Sequence, residues 1–152
     1  MKILEVLQKD TINTDLKSTD KNGVIEELVA SVSRITGKDS KELANVILER
    51  ERLGSTGIGG GIGIPHGKLK NLESLLLGFG LSRKGVDFES IDGRPTHLFF
   101  LILTPENSTG LHLKLLARIS RILKNDSFKK KLLKATDSNE VYSIIREIDE
   151  DF

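Results

Sequence analysis

The sequence of 152 residues contains no cysteine, which excludes disulfide bonds, thiolate metal sites and cysteine nucleophiles. It also lacks an apolar run of about 18 residues that would span a membrane and the apolar core of a signal peptide. An excess of charge is absent too, because 23 basic and 22 acidic residues leave a net charge of +1. We therefore expect a cytoplasmic protein with no nucleic acid partner and no direct membrane insertion. Its length predicts a single domain over residues 1–152.

Glycine, in contrast, is concentrated in one stretch. Residues 54–68 read G-S-T-G-I-G-G-G-I-G-I-P-H-G-K and hold seven of the 14 glycines in the chain. Glycine is placed where the backbone needs a positive φ or where another group approaches the main chain closely. Pro65 favours an extended conformation at Ile64, and Gly67 leaves the other side of His66 open. We predict that a stiff turn presents this imidazole beside free backbone N–H groups, as a phosphate site requires.

Two nucleotide-binding motifs are excluded for the same stretch. A P-loop needs G-x-x-x-x-G-K-[ST], but the residue five positions before Gly67 is Ile62, and Leu69 follows the lysine. A dinucleotide-binding fingerprint places its glycines between a strand and a helix that they open. Here the preceding segment has a helical pattern and Pro65 follows the glycines. An ordinary tight turn with a structural histidine remains open as an alternative.

Hydrophobic periodicity predicts helices on both sides of a strand-rich middle. Apolar residues spaced by three or four predict helices over residues 20–37, 39–54, 111–123, 128–133 and 141–148, and a short helical turn over residues 1–8. Apolar runs predict strands over residues 11–16, 75–82 and 97–104. The last run is apolar on both faces, which is typical of a central strand covered on two sides. This order predicts an α/β fold, a three-layer α/β/α sandwich.

A site for phosphoryl chemistry calls for positive charge and hydrogen-bond donors around the transferred group. Arg50 lies in the last turn of the second long predicted helix, where a cation also stabilises the helix dipole. His112 lies in the middle of an apolar helix face but in the first turn of its helix. It therefore either fills a gap in the core or faces a site at the rim of the core. We interpret His97, at the start of the central strand, as structural.

Residues 50–68, R-E-R-L-G-S-T-G-I-G-G-G-I-G-I-P-H-G-K, resemble the active-site signature of the fructose/mannitol-type enzyme IIA domains of the bacterial phosphotransferase system. The nitrogen-regulatory IIA proteins share that signature. The block H-L-K-L-L-A-R-I-S-R-I-L at residues 112–123 extends the likeness, and the element order extends it over essentially the whole chain. Gly63 departs from the family pattern, in which alanine is usual. The resemblance implies one type-2 IIA domain with a mixed central sheet between two helical layers.

The resemblance also implies roles for particular residues. In this family a histidine accepts phosphate from the phosphocarrier protein HPr or a nitrogen-branch counterpart, and a sugar-type IIA passes it to a cysteine of a IIB domain. His66 matches the phosphorylated histidine, Arg50 the arginine near the phosphate, and His112 the second active-site histidine. Thr56 falls at the small hydroxyl position of the family. We expect the phosphate to be bound by this threonine and by glycines of the stretch: Gly57, Gly59 and Gly67.

The implied chemistry needs neither a metal ion nor a cofactor, because a neutral imidazole nitrogen is a competent nucleophile near pH 7. Three functions stay open at this point. The first is a sugar-transport IIA within a phosphate relay, and the second is a nitrogen-regulatory IIA whose phosphorylation state controls a regulatory target protein. The third is a phosphate-binding module without transfer activity, against which the completeness of the motif speaks.

Overall fold

The computed structural model describes residues 2–150, and at its centre lies a six-stranded sheet. The strands are β1 (Leu7–Asn13), β2 (Gly57–Gly59), β3 (Ile62–Gly63), β4 (His66–Leu69), β5 (Leu76–Val86) and β6 (Thr96–Pro105). They lie in the order β1-β5-β6-β3-β2, and β4 also pairs with β6. β1 is parallel to β5, and β3 and β4 are parallel to β6, whereas the β5–β6 and β2–β3 pairs are antiparallel. The implied mixed sheet is thus confirmed.

Five helices in the described part of the chain cover the two faces of this sheet. They are α1 (Lys21–Thr36), α2 (Ser40–Arg52), α3 (Thr109–Ile122), α4 (Asp126–Lys134) and α5 (Ser138–Glu150). One apolar core contains residues of α1 and α2, and a second contains residues of the other three helices. Of these described helices, none has both the length and the apolar character that a membrane crossing requires. The predicted α/β/α sandwich is confirmed.

Strand β6 shows why two cores form. Phe99 and Leu101 belong to the core under α1 and α2, whereas Phe100 and Ile102 belong to the core on the other face. All four side chains are buried. Successive side chains of a strand point to opposite faces, so an uninterrupted apolar run supplies both cores at once. The prediction of a central strand covered on both faces is confirmed.

Helix ends follow the signals in the sequence. Asp20 precedes α1, and its carboxylate accepts a hydrogen bond of 2.7 Å from the backbone N–H of Gly23. Gly37 ends the same helix with a φ of 73°, a conformation that glycine adopts without strain. Asp137 precedes α5 and accepts a bond of 2.8 Å from the N–H of Glu140. These caps satisfy N–H and C=O groups that a helix leaves without internal partners.

Two segments differ from the prediction. A helical turn was predicted over residues 1–8, of which residue 1 lies outside the described part. The chain instead forms a 3-10 turn at Ile3–Glu5 and then enters β1. This strand starts before the predicted strand over residues 11–16, because it pairs with β5. The glycine-rich residues 54–68 contain three short strands, since β3 and β4 pair with β6. His66 is therefore the first residue of a strand, where a stiff turn was predicted.

Candidate functional site

An open groove of about 680 Å³ lies where α2, β4 and α3 meet. His66 and His112 lie side by side in it, with ring centroids 5.1 Å apart and ring planes at 60°. Arg50, from the last turn of α2, lines the same groove. The structure thus brings together the three predicted catalytic residues, although each comes from a different element.

The hydrogen bond of His66 defines which ring nitrogen is free. Its Nδ1 lies 2.8 Å from the carbonyl oxygen of Ile64. A carbonyl oxygen only accepts, so Nδ1 carries the proton and donates, and Nε2 keeps a free lone pair. Burial lowers the pKa of His66 and the charge of Arg50 lowers it further, against the hydrogen bond to Ile64 and the charge of Glu51. The net effect is a lowered pKa, so the ring is a neutral nucleophile at pH 7.

His112 is held by a different kind of partner. Its Nδ1 lies 2.6 Å from the hydroxyl oxygen of Thr104, near the end of β6. The side chain is only 5% exposed, and burial, together with the neighbouring His66 and Lys68, lowers its pKa to about 4. His112 is therefore neutral at pH 7 and has a single N–H. If the threonine hydroxyl donates to Nδ1, this N–H is on Nε2 and is available as a donor in the groove.

Arg50 lies between the glycine-rich segment and the groove. Its Nη1 donates a hydrogen bond of 2.9 Å to the carbonyl oxygen of Gly54, just beyond the end of α2. This bond ties the glycine-rich segment to the end of the helix. A guanidinium carries five N–H donors, so one bond leaves others for a ligand. Its charge also acts on the neighbouring imidazole, since it lowers the pKa of His66.

The predicted phosphate-binding residues Thr56, Gly57 and Gly59 do not line the groove. Thr56 is buried, and both its hydroxyl and its backbone N–H donate to the carboxylate of Glu51. Gly57 and Gly59 belong to β2, at the edge of the sheet. Contacts between these three residues and a phosphate stay a prediction.

Gly67, the fourth of these residues, lies beside the histidine in β4 and makes close packing possible. A Cβ atom there would come 2.6 Å from Cγ1 of Val46, so α2 lies this close to β4 only because the residue is glycine. The packing brings the end of α2, with Arg50, to the groove. A Cβ atom on Gly63 would come 3.2 Å from Cδ1 of Phe99, which leaves little room for the alanine usual at that position. A phosphate contact of Gly67 likewise stays a prediction.

Exposed leucines border the reactive groups. Leu53 is 85% exposed and Leu113 is 60% exposed, and both line the groove. Lys68 also lines it and donates a hydrogen bond of 2.8 Å to the hydroxyl of Thr109, at the start of α3. An exposed apolar surface with a few charges is typical of a protein docking surface.

Sequence reasoning missed two buried polar residues near the groove, Glu51 and Thr104. Glu51 is only 6% exposed and follows Leu43 and Ile47 at intervals of four on the buried face of α2. A charged residue in an apolar stripe is a signal that was available in the sequence. Thr104 is fully buried near the end of an apolar strand. Its hydrogen-bond partner, His112, lies in another element, so the sequence around Thr104 did not indicate it. A polar residue at a core position needs a hydrogen-bond partner, which is His112 of the groove for Thr104 and Thr56 for Glu51.

Comparison with known proteins places this geometry in a family. Residues 5–148 match the family described as "Phosphoenolpyruvate-dependent sugar phosphotransferase system, EIIA 2". A nitrogen regulatory protein of Bradyrhizobium diazoefficiens is 39% identical over 145 residues, which are 95% of each chain. The fructose-specific EIIABC component of Bacillus subtilis is 40% identical over 151 residues, 98% of this chain and 24% of that longer protein.

A solved structure agrees with the sequence relatives. The crystal structure of the nitrogen regulatory protein IIA-Ntr of Neisseria meningitidis superimposes with a TM-score of 0.87 at 31% identity, covering 93% of this chain and 97% of that one. The structural match therefore extends over nearly all of both folds, and the family match over residues 5–148 includes the elements that form the groove. The chain belongs to the EIIA type 2 family of the phosphoenolpyruvate-dependent sugar phosphotransferase system.

Proposed function

We propose that the chain is a phosphoryl carrier. His66 accepts a phosphoryl group on Nε2 from a phosphorylated HPr-like phosphocarrier protein and later gives it to a second protein. The observation that carries this proposal is the 2.8 Å hydrogen bond from Nδ1 to the carbonyl of Ile64. It leaves Nε2 unprotonated, and the lowered pKa of His66 keeps the ring neutral at pH 7.

The first transfer exchanges one nitrogen–phosphorus bond for another. The lone pair of His66 Nε2 attacks phosphorus while the bond to the donor imidazole breaks, and the donor leaves with the bonding electrons. The ring gains positive charge, which the hydrogen bond from Nδ1 to the Ile64 carbonyl stabilises. Arg50 and the positive end of α3, where His112 lies, supply charge opposite the phosphoryl oxygens. Positioning and electrostatics of this kind dominate phosphoryl transfer.

The second transfer gives the phosphoryl group to a IIB domain in a sugar branch. A cysteine thiolate of that domain attacks phosphorus, the bond to Nε2 breaks, and His66 returns to the neutral ring. The exposed Leu53 and Leu113 support a protein as the partner in both steps, because they add apolar surface to the groove that contains His66. A fructose-specific relative at 40% identity supports this branch.

The alternative is a nitrogen-regulatory IIA, whose phosphorylation state controls its binding to a regulatory target protein. It is favoured by the relative named a nitrogen regulatory protein, which is matched over 95% of its length at 39% identity. The chemistry at His66 is the same in both branches. Only the protein that docks on the groove in the second step distinguishes them.

The first experiment tests whether the chain is a carrier. The protein is incubated with phosphorylated HPr carrying a phosphate label, and the labelled residue is mapped by mass spectrometry. We expect one label on His66 that is labile in acid and stable in base, as a nitrogen–phosphorus bond is. A label on a hydroxyl side chain, or none at all, would refute the proposal.

A second experiment distinguishes the branches. The phosphorylated protein is mixed with a purified fructose-type IIB domain, and the label is followed on both chains. Transfer to the IIB cysteine supports the sugar branch. Retention of the label on His66 under conditions in which a known fructose IIA transfers it supports the regulatory branch.

A further inference from the structure

The buried carboxylate of Glu51 has no part in the transfer steps above. It accepts two hydrogen bonds of 3.2 Å from the backbone N–H of Thr56, one to each oxygen, and another from the hydroxyl of the same residue. The ammonium of Lys21 also donates to it, at 2.9 Å. Burying a carboxylate costs free energy even when it is paired. An apolar residue at the same position often gives a protein of equal or greater stability. A buried carboxylate at this position therefore indicates a role beyond stability.

A continuous chain of hydrogen bonds leads from Glu51 to the reactive histidine. Thr56, which Glu51 holds, accepts a hydrogen bond of 3.0 Å on its carbonyl from the N–H of Ile64. The carbonyl of Ile64 in turn accepts the 2.8 Å bond from Nδ1 of His66. Ile64 is thus held through its N–H and holds the imidazole through its C=O. Pro65, between them, adds a fixed φ and little freedom.

We propose that Glu51, oriented by Lys21, is a positioning residue for phosphoryl transfer at His66. By holding Thr56, it fixes the carbonyl of Ile64 and so keeps the imidazole proton on Nδ1 and the lone pair of Nε2 in the groove. An imidazole without a fixed acceptor distributes its proton over both nitrogens, and the form protonated on Nε2 cannot attack phosphorus. This inference rests on the proposed carrier function of His66.

The charges in the network support the same role. Burial lowers the pKa of Lys21, but hydrogen bonds to Glu89 and Glu51 raise it, and the net shift is upward. The ammonium therefore stays charged and continues to orient the carboxylate. Burial lowers the pKa of His66, whereas the negative charge of Glu51 raises it. The carboxylate thus also favours the positive charge that the ring acquires on phosphorylation.

The test uses the full chain with Glu51→Gln, which keeps the volume and removes the charge. Nitrogen-15 NMR of the His66 ring reports which nitrogen carries the proton, and the rate of transfer from phosphorylated HPr is measured in parallel. The matched control is Asp149→Asn. Asp149 is likewise buried, accepts from Arg118 at 2.9 Å and from the backbone N–H of Ile3 at 3.0 Å, and lies in the other core layer.

We expect Glu51→Gln to show a mixture of both His66 tautomers and a transfer rate about ten-fold lower, with an unchanged KM for the phosphocarrier. Asp149→Asn should melt earlier but keep the single tautomer and the normal rate. A folded Glu51→Gln protein with the unmixed tautomer would overturn the proposal. So would a mixture that appears equally in Asp149→Asn, because the effect would then follow from lost stability alone.

If Glu51→Gln does not fold, Lys21→Gln takes its place, since it leaves the carboxylate and removes the ammonium that orients it. The same mixing, to a smaller extent, is expected, and an unmixed tautomer overturns the proposal. The NMR measurement needs no phosphate. A failure of the carrier function therefore shows as absent labelling, whereas a failure of the positioning role shows as an unaffected His66 tautomer.

Discussion

His66 and His97 have the same local hydrogen bond in different surroundings. In each ring Nδ1 lies 2.8 Å from a backbone carbonyl oxygen, that of Ile64 for His66 and that of Ser82 for His97. Each histidine stands at or next to the first residue of its strand. The local bond therefore fixes a tautomer in both rings and does not distinguish a reactive histidine from a structural one.

The surroundings make the distinction. The groove at His66 contains a second imidazole, a guanidinium and exposed leucines. The pocket beside His97 is smaller, about 220 Å³, and its Lys129 pairs with Asp126 at 3.3 Å. Arg50 of the groove, in contrast, donates to the uncharged carbonyl of Gly54. Its positive charge is therefore not neutralised by that partner and can act on a ligand. The reactivity that we propose for His66 therefore depends on the groups that the fold places around a histidine whose tautomer is already fixed.

The largest expected effect separates the two histidines directly. His66→Gln should abolish labelling by phosphorylated HPr, because the nucleophile is gone. His97→Gln should be labelled at the normal rate and lose about 1 kcal/mol of stability with its hydrogen bond. Labelling assays and thermal unfolding of both variants measure this. Labelling of His66→Gln at the wild-type level would disprove the assignment of the nucleophile.

The second effect concerns one cation in each of the two pockets, Arg50 in the groove and Lys129 beside His97. Arg50→Ala should slow transfer by about 100-fold, the usual loss when an electrostatic contact to the transition state is removed. Its stability should fall by less than about 1 kcal/mol. Lys129→Ala, which removes one of the two lysines that line the pocket beside His97, should transfer at the normal rate. A variant of Arg50 that melts early and transfers normally would show that the residue only caps its helix.

The third effect concerns the partner of the second imidazole. Thr104→Val keeps the shape of the side chain and removes the hydroxyl that bonds His112. Because His112 then loses the partner that orients its ring, we expect transfer to be about ten-fold slower. Thr11→Val is the matched control, since the Thr11 hydroxyl is also buried but donates to the backbone carbonyl of Leu77 in β5 and not to His112. Equal rates in the two variants would mean that the hydroxyl does not act through His112.

The smallest effect is a dependence of stability on pH. The pKa of His112 is lowered from its ordinary value of 6.5 to about 4, and burial is the main cause. The unfolded chain therefore binds a proton before the folded one, and stability falls as the pH decreases from about 6.5 to about 4. Urea unfolding across this range should show the loss, and His112→Gln should show a shallower one. An identical slope in the variant would contradict the buried, neutral state of His112.

Much of the fold was predictable because its signals are local. The long helices, the central strand and the caps follow from hydrophobic spacing and from residue types at helix ends. The start of β1 and the strands within residues 54–68 were not predictable, because they exist through pairing with β5 and β6. Short strands carry a weak signal of their own, and their partners are distant in the sequence.

For the candidate site, the sequence by itself determined the family and the histidine that we propose as the nucleophile. Pro65, His66 and Gly67 specify an open histidine on a constrained backbone, and the signature around them specifies a family. Only the tertiary structure decided which groups surround that histidine. It placed His112 5.1 Å away and turned Thr56 inward to a buried carboxylate. The reason is physical, since contacts between distant elements depend on how helices and strands pack, and no local pattern encodes that packing.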